Sequence, residues 1–377
     1  MRSGIAVEIL DGATGIASVR DEWQALYQQC GRELSLSYAW SYAVAAVHTA
    51  PGDRLRTITL RRDGVLVGVL PMLARPTRRA FRQLMPLAEE YNTHSDWLMA
   101  ETSSAIADGF VAGLVGAGLE WDRFRMSRVF AHNALLPHFV AALGRRGLRC
   151  LLRTEPPSYV LRLPPAYTSY LGRRSAKFRN HLKRVEKKIQ ARPWQVTVLA
   201  GPQRHEDFAA VFARILAIEA TSWKHADGWP MSVGSPAAEF WRQVCQSAWD
   251  EGRIHAQFLT IDGEPAAYNL GYIVGDEYSY LKTTFGRAFK EIGAATFLRG
   301  RLVDDLIARG IRLVDFPGEP YDWERQWTDE VRGHAMLTVY SGTVRSKLLE
   351  ALERVRQRHH TLRATPSDLR DEATTSL

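Results

Sequence analysis

Glu219 and Trp223 stand four residues apart, the spacing that sets two side chains on one face of a helix, where a carboxylate beside an indole wall can take a proton. A second carboxylate, Asp315, interrupts the apolar run from Ile311 to Phe316. A charge inside such a run needs a partner or a purpose, and the end of a strand after a crossover is where ligands of open α/β layers collect. Tyr280 and Lys282 alternate with Leu281, so both are expected on the face opposite Leu281. Tyr268 and His255 are expected to face one cleft, given the right hairpin register. In the first half, Glu89, Glu90, His94 and Asp96 form the dense polar cluster. His94 and Asp96 lack the further histidine or cysteine pair that completes a metal site, so no metal is expected and the two are read as lining an acceptor groove. Phosphate-loop, nucleophile-elbow and His-Glu-x-x-His motifs are absent from the sequence.

The elements that must hold these groups follow from turn signals and periodicity. Ile254 to Ile261 and Pro265 to Val274 read as a hairpin about Asp262-Gly263, and Glu277 to Thr284 as a third strand after Gly275-Asp276. Ile292 to Arg309 has helical spacing with Gly310 as its C-cap, and Ile311 to Phe316 is a buried strand that Pro317-Gly318 stops. Strand, helix, strand predicts a right-handed crossover and a parallel return after an antiparallel meander. The first half repeats this order. Val7 to Leu10 opens it, a hairpin turns at Asp63-Gly64, a broken strand covers Leu84 to Leu87 and Asp96 to Met99, and Ile106 to Leu119 and Arg123 to Phe130 supply helix and strand. A boundary is expected at Leu163-Pro164-Pro165. Tyr167 to Gln190 reads as one basic helical segment with charges wrapped round it, His205 to Lys224 as a long helix, Met336 to Tyr340 as the closing strand and Arg345 to His359 as a terminal helix. The ranges are thus 1–164, 165–362 and a disordered tail over 363–377.

Three stretches resemble a known superfamily: SAKFRNHLKRVEKK from Ser175, Ser222-Trp223-Lys224, and VDFPGEPY from Val314. They are similar to the GNAT acyltransferases, and more closely to the CelD-type branch associated with polysaccharide synthesis, related to the Fem peptidoglycan transferases. The resemblance implies an α/β fold of tandem GNAT units, a mixed, mostly antiparallel sheet with crossover helices. It implies acetyl-CoA or another acyl-CoA as donor, an amine attacking the thioester directly, the second half holding the donor and the first shaping the acceptor site. Glu219, Asp315 and Tyr321 become the catalytic candidates, Glu219 as base and Tyr321 as acid for the thiolate. Relatives place a lysine directly after that tyrosine, where this chain has Asp322. Lys282, Thr284, Arg287, Lys290 and Gly293 would hold the donor, the two cations replacing some of the glycine amides that usually cradle its phosphates. Trp223, Lys224, His94, Asp96 and Tyr268 would meet the acceptor.

Composition sets the frame. The 377 residues, 46% hydrophobic and 24% charged, suit two domains with ordinary cores. No apolar run reaches bilayer length and no signal peptide opens the chain, so a cytoplasmic location is expected, or one at the inner face of the membrane. Cys30, Cys150 and Cys245 lie too far apart for a cluster and read as buried thiols. The net charge of +8 concentrates between Arg173 and Arg192, which favours an anionic partner: CoA phosphates, an anionic membrane surface (phospholipid), a nucleotide sugar or tRNA, with an acyl carrier protein as another candidate donor. Among these charges only Phe178 and His181 could stack on bases, which lowers the aminoacyl-tRNA alternative without closing it. A small-molecule, lipid or sugar amine is the expected acceptor, and a non-catalytic module of an envelope polysaccharide system is the third reading.

Overall fold

In the computed structural model the described residues are 4–47, 49–77, 81–87, 91, 93–116, 121–200, 207–223, 231–318 and 320–363, with side chains to 354. In chain order they form β1 (Ala6–Asp11), α1 (Gly12–Ser18), α2 (Arg20–Cys30), α3 (Tyr38–Val47), β2 (Arg54–Arg62), β3 (Val65–Pro76), β4 (Arg82–Pro86), β5 (Leu98–Met99), α4 (Ser104–Gly116), β6 (Arg123–Phe130), α5 (Leu136–Arg145) and β7 (Arg149–Arg162). The second half continues with α6 (Tyr167–Arg173), α7 (Ala176–Gln190), β8 (Trp194–Ala200), α8 (Phe208–Thr221), α9 (Pro236–Asp250), β9 (Ile254–Ile261), β10 (Glu264–Val274), β11 (Glu277–Phe285), α10 (Ala294–Ala308), β12 (Leu313–Phe316), β13 (Val331–Tyr340) and α11 (Val344–Arg363).

The strands make one mixed sheet in the order β1-β2-β3-β4-β6-β13-β7-β12-β11-β10-β9-β8, with β5 also on β3. Pairing is antiparallel except at β4–β6 and β11–β12, the corresponding crossovers of the two halves. The expected repeat is therefore present as structure, down to the turns. Asp63 and Gly64 have φ of 51° and 82°, Asp262 and Gly263 of 53° and 82°, the positive pair that a two-residue hairpin requires.

The last strand of each half has crossed over. β7, which ends the first half, pairs with β12, while β13, which ends the second, pairs with β6, and the two exchanged strands pair with each other. Pro156 and Pro157 inside β7 would break a regular ladder. They fall where the register with β13 slips, between the pairs Arg332↔Ser158 and His334↔Glu155.

Helices cover both faces. On one, α2 and α3 of the first half meet α8 and α9 of the second in a single core, with Trp40 edge-on to Phe240 at 4.9 Å and Tyr27 hydrogen-bonded to Tyr272. On the other, α4 and α5 cover the first half, and α10 with α6 and α7 the second.

Several expectations need correction. The segment 167–190 is two helices, because Ser175 takes an extended conformation and caps α7 by accepting from the Phe178 N–H at 3.2 Å. The charges of α7 do not wrap round it: Phe178, Val185 and Ile189 are buried, and Lys177, Lys183, Arg184, Lys187 and Lys188 lie on the exposed side. The helix expected from His205 spans Phe208–Thr221, with Asp207 as its cap. The closing strand is longer than expected because β13 pairs on both sides. Cys245 is buried, but Cys30 and Cys150 are only partly so. The expected disordered tail from Ala364 lies outside the described residues, as do Glu89, Glu90 and Lys224. Among the described residues no helix is long and apolar enough to cross a membrane.

Candidate functional site

β11 and β12 pair at three positions only, Glu277↔Leu313, Tyr278↔Val314 and Ser279↔Asp315. β12 ends at Phe316, whereas β11 runs on to Phe285, hydrogen-bonded along its other side to β10. From Tyr280 onward the edge of β11 toward β12 has no strand partner among the described residues, so its backbone groups can pair with an extended ligand. One extra residue, Leu281, sits between the pairs Gly271↔Tyr280 and Leu270↔Lys282. This bulge reverses the expected orientation. Tyr280 packs on the α10 side, stacked on Phe316 at 5.1 Å, while Lys282 reaches the opposite face with its Nζ 5.2 Å from the Trp241 ring centroid.

β11 leads into a 3₁₀ turn over Arg287–Phe289 and then α10, whose first-turn N–H groups are an anion site by geometry. Arg287 and Lys290 are exposed beside it, and Lys188 of α7 donates from Nζ to the Glu291 carbonyl at 3.0 Å. Gly293 has φ of 81°, and a Cβ there would stand 2.8 Å from Val185 Cγ2. The glycine is thus required by backbone conformation and by the approach of α7.

On the α8–α9 face, Glu219 is 1% exposed and accepts from the Tyr268 hydroxyl at 2.5 Å. Burial first, then the carboxylate, holds the Tyr268 hydroxyl pKa well above its ordinary value. Trp223 does not share a helix face with Glu219, because α8 ends at Thr221 and Ser222 turns extended to bridge Gly286; the indole is 43% exposed. Thr284 is buried, and its hydroxyl has no hydrogen-bond partner among the described residues. His255 faces the other side, bonded to Asp305 of α10 at 2.8 Å, so it shares no cleft with Tyr268.

Asp315 lies at the point where β11 and β12 part. It is 2% exposed, with Arg332 Nη1 of β13 and His94 Nδ1 of the first half each 3.4 Å from its Oδ2. Burial raises its pKa, against the pull of His94 and Arg332. His94 is fully buried, and Glu33 Oε2 is 3.6 Å from the same Nδ1. Asp96 does not pair with His94: it accepts from Asn133 at 2.8 Å and from the Trp97 N–H at 2.7 Å, and burial pushes it up to about 6. Tyr321 is 58% exposed, and its backbone N–H donates to buried Glu324, whose carboxyl desolvation raises to about 7. Glu33 also lines a small, open surface pocket with Arg32, Tyr272, Val274, Glu277 and Ser279. Glu33, Glu324 and Arg332 were not anticipated, since nothing in their local sequence marks them.

The corresponding opening in the first half is filled by its own chain. β4 and β6 pair only at Gln83↔Arg123 and Leu84↔Phe124, and the segment bearing buried His94, Ser95 and Trp97 follows, its Ser95 N–H directed at the Arg128 carbonyl of β6 at 3.4 Å.

A meander parted from its parallel strand by a bulge, with a helix N-terminus beyond, is the GNAT fold, and residues 176–325 match the acetyltransferase (GNAT) domain family. The chain is similar in fold to the crystal structure of FemX, at 10% identity, TM-score 0.58, and coverage of 89% of this chain and 98% of that one. It is similar also to the C-terminal domain of a putative lysylphosphatidylglycerol synthetase from Agrobacterium fabrum (10% identity, TM-score 0.55, 89% and 95% covered) and to L-PGS from Bacillus licheniformis (12%, 0.54, 86% and 92%). No curated protein matches the sequence at a significant level.

Proposed function

We propose that this chain is an N-acyltransferase that takes an acyl group from a CoA thioester to an amine, with residues 165–362 binding the donor and residues 1–164 shaping the acceptor site. The observation that carries the reading is the opening between β11 and β12. The pantetheine arm would pair with the free edge of β11, and the phosphates would lie over the α10 N-terminus near Arg287, Lys290 and Lys188. The amine loses a proton, its nitrogen bonds to the thioester carbon, the C–S bond breaks, and the thiolate is protonated. Because the first half fills its own opening with residues 94–97, one donor site per chain is expected.

Glu219 and Asp315, both buried, are the candidate bases, and Tyr321 is exposed enough to reach a leaving thiolate. Trp223, also exposed, and Lys224 keep their proposed places at the acceptor. The CelD-type branch, a cytoplasmic location and the acceptor's identity belong to this proposal too.

The test is a thermal-shift panel with acetyl-CoA, a long-chain acyl-CoA and tRNA. A ligand at 100 times its dissociation constant stabilises by about 2.7 kcal/mol. Stabilisation by a CoA thioester supports the reading. A response to tRNA alone shifts it to aminoacyl-tRNA-dependent transfer, and no response leaves a non-catalytic module.

A further inference from the structure

We infer that Glu33, His94 and Asp315 form a binding site for one divalent transition-metal ion, held jointly by the two halves of the chain. Glu33 comes from the connection after α2, His94 from the segment that fills the first half's opening, and Asp315 from β12. Their three donor atoms lie within 4.8 Å of one another. Glu33 Oε2 and Asp315 Oδ2 stand 3.6 Å and 3.4 Å from His94 Nδ1, and among the described residues neither ring nitrogen has a partner at hydrogen-bond geometry although the residue is fully buried. Those separations are long for hydrogen bonds. They match the edges of a coordination polyhedron: ligands about 2.0–2.2 Å from a metal, at angles of about 90–110°, lie about 2.8–3.6 Å apart.

Charge points the same way. Glu155 is satisfied by Ser127 and the Arg128 N–H, and Glu324 feels Arg299. That leaves Glu33 and Asp315 gathered on His94, with the Arg332 guanidinium 3.4 Å from Asp315. Two carboxylates directed at one imidazole in a buried site favour a divalent cation among them. Arg332, 3.4 Å from Asp315, then acts as the outer partner that orients a ligating carboxylate. One imidazole and two carboxylates, without thiolate, suit Zn²⁺, Mn²⁺ or Fe²⁺, and three protein ligands leave a position for water or another small ligand.

The experiment uses the full chain stripped with a chelator, then titrated with ZnCl₂ and with MnCl₂ by calorimetry, with metal content measured after desalting. Saturable binding of one equivalent is expected, weakened at least 100-fold in His94→Ala and in Asp315→Asn. Glu89→Gln, outside the proposed ligand set, should bind as the parent does. No saturable binding of either ion by the parent chain overturns the site, as does undiminished affinity in His94→Ala. If His94→Ala does not fold, His94→Gln, which keeps much of the volume, is read by the same criterion. Acyl transfer enters none of these readouts, so failure of the metal site and failure of the acyltransferase reading are separately visible.

Discussion

Removing the hydroxyl of Tyr268 tests what Glu219 is for. Tyr268 is fully buried and donates at 2.5 Å to a carboxylate that is itself 1% exposed, so Tyr268→Phe takes a charge-assisted hydrogen bond away where water cannot replace it. Such a loss costs about 1.5–3 kcal/mol. With an unfolding entropy of about 2 cal/mol/K per residue, a chain of this length loses about 2–4 °C of melting temperature. Glu219→Gln keeps the shape but weakens the acceptor, and should cost a similar amount. If the two groups act mainly through each other, the double variant should cost much less than the sum of the singles, leaving a coupling of about 1–2 kcal/mol in urea unfolding. Additive losses, or singles below about 0.5 kcal/mol, would refute a coupled buried hydrogen bond. Activity separates the remaining roles: if Glu219 accepts the amine's proton, Glu219→Gln lowers turnover at neutral pH by roughly 100-fold with donor binding intact, whereas Tyr268→Phe changes it less. Full turnover in Glu219→Gln moves the proton acceptor to Asp315.

Arg287→Ala with Lys290→Ala should raise the Michaelis constant for acyl-CoA more than it lowers turnover, and dephospho-CoA thioesters should lose less than intact CoA; equal losses would mean that these residues do not read phosphate. Gly293→Ala puts a Cβ into a left-handed backbone and against Val185, so its melting temperature should fall by several degrees, and Val185→Ala in the same chain should recover the steric part only. Glu324 prefers its protonated form when folded, so its penalty is absent below the unfolded carboxyl pKa near 4.3 and grows as pH rises through about 7. Glu324→Gln should therefore gain stability relative to the parent chain between those values, by up to about 3 kcal/mol, and a pH-independent difference in unfolding free energy would contradict the raised carboxyl.

Local signals located most elements. Two Asp-Gly pairs fixed two hairpins because positive φ is a property of the residues themselves, and the apolar spacing of Phe297, Leu298, Leu302 and Leu306 marked α10. The bulge at Leu281 was invisible, since β10 pairing rather than alternation decides which residue is skipped, and with it the orientation of Lys282 was lost. Asp315 stood out because its neighbours are apolar. Its partners His94 and Arg332, and Glu33 beyond them, come from distant segments that only the assembled sheet brings together. Nothing periodic could show that β7 and β13 had changed places, because each reads as an ordinary strand in either position.

That exchange has a consequence for how the protein is made. β6 ends at Phe130, and its partner β13 begins at Val331, so some two hundred residues leave the ribosome between them. At about 5–20 residues per second this takes about 10–40 s. Throughout that interval the nascent first half presents the β6 edge that β13 will cover, the kind of surface on which strands of other chains add. A chain terminated anywhere before β13 keeps the edge indefinitely. Premature stops between Leu163 and Val331 should therefore yield insoluble product even though every residue of the first half has been synthesised.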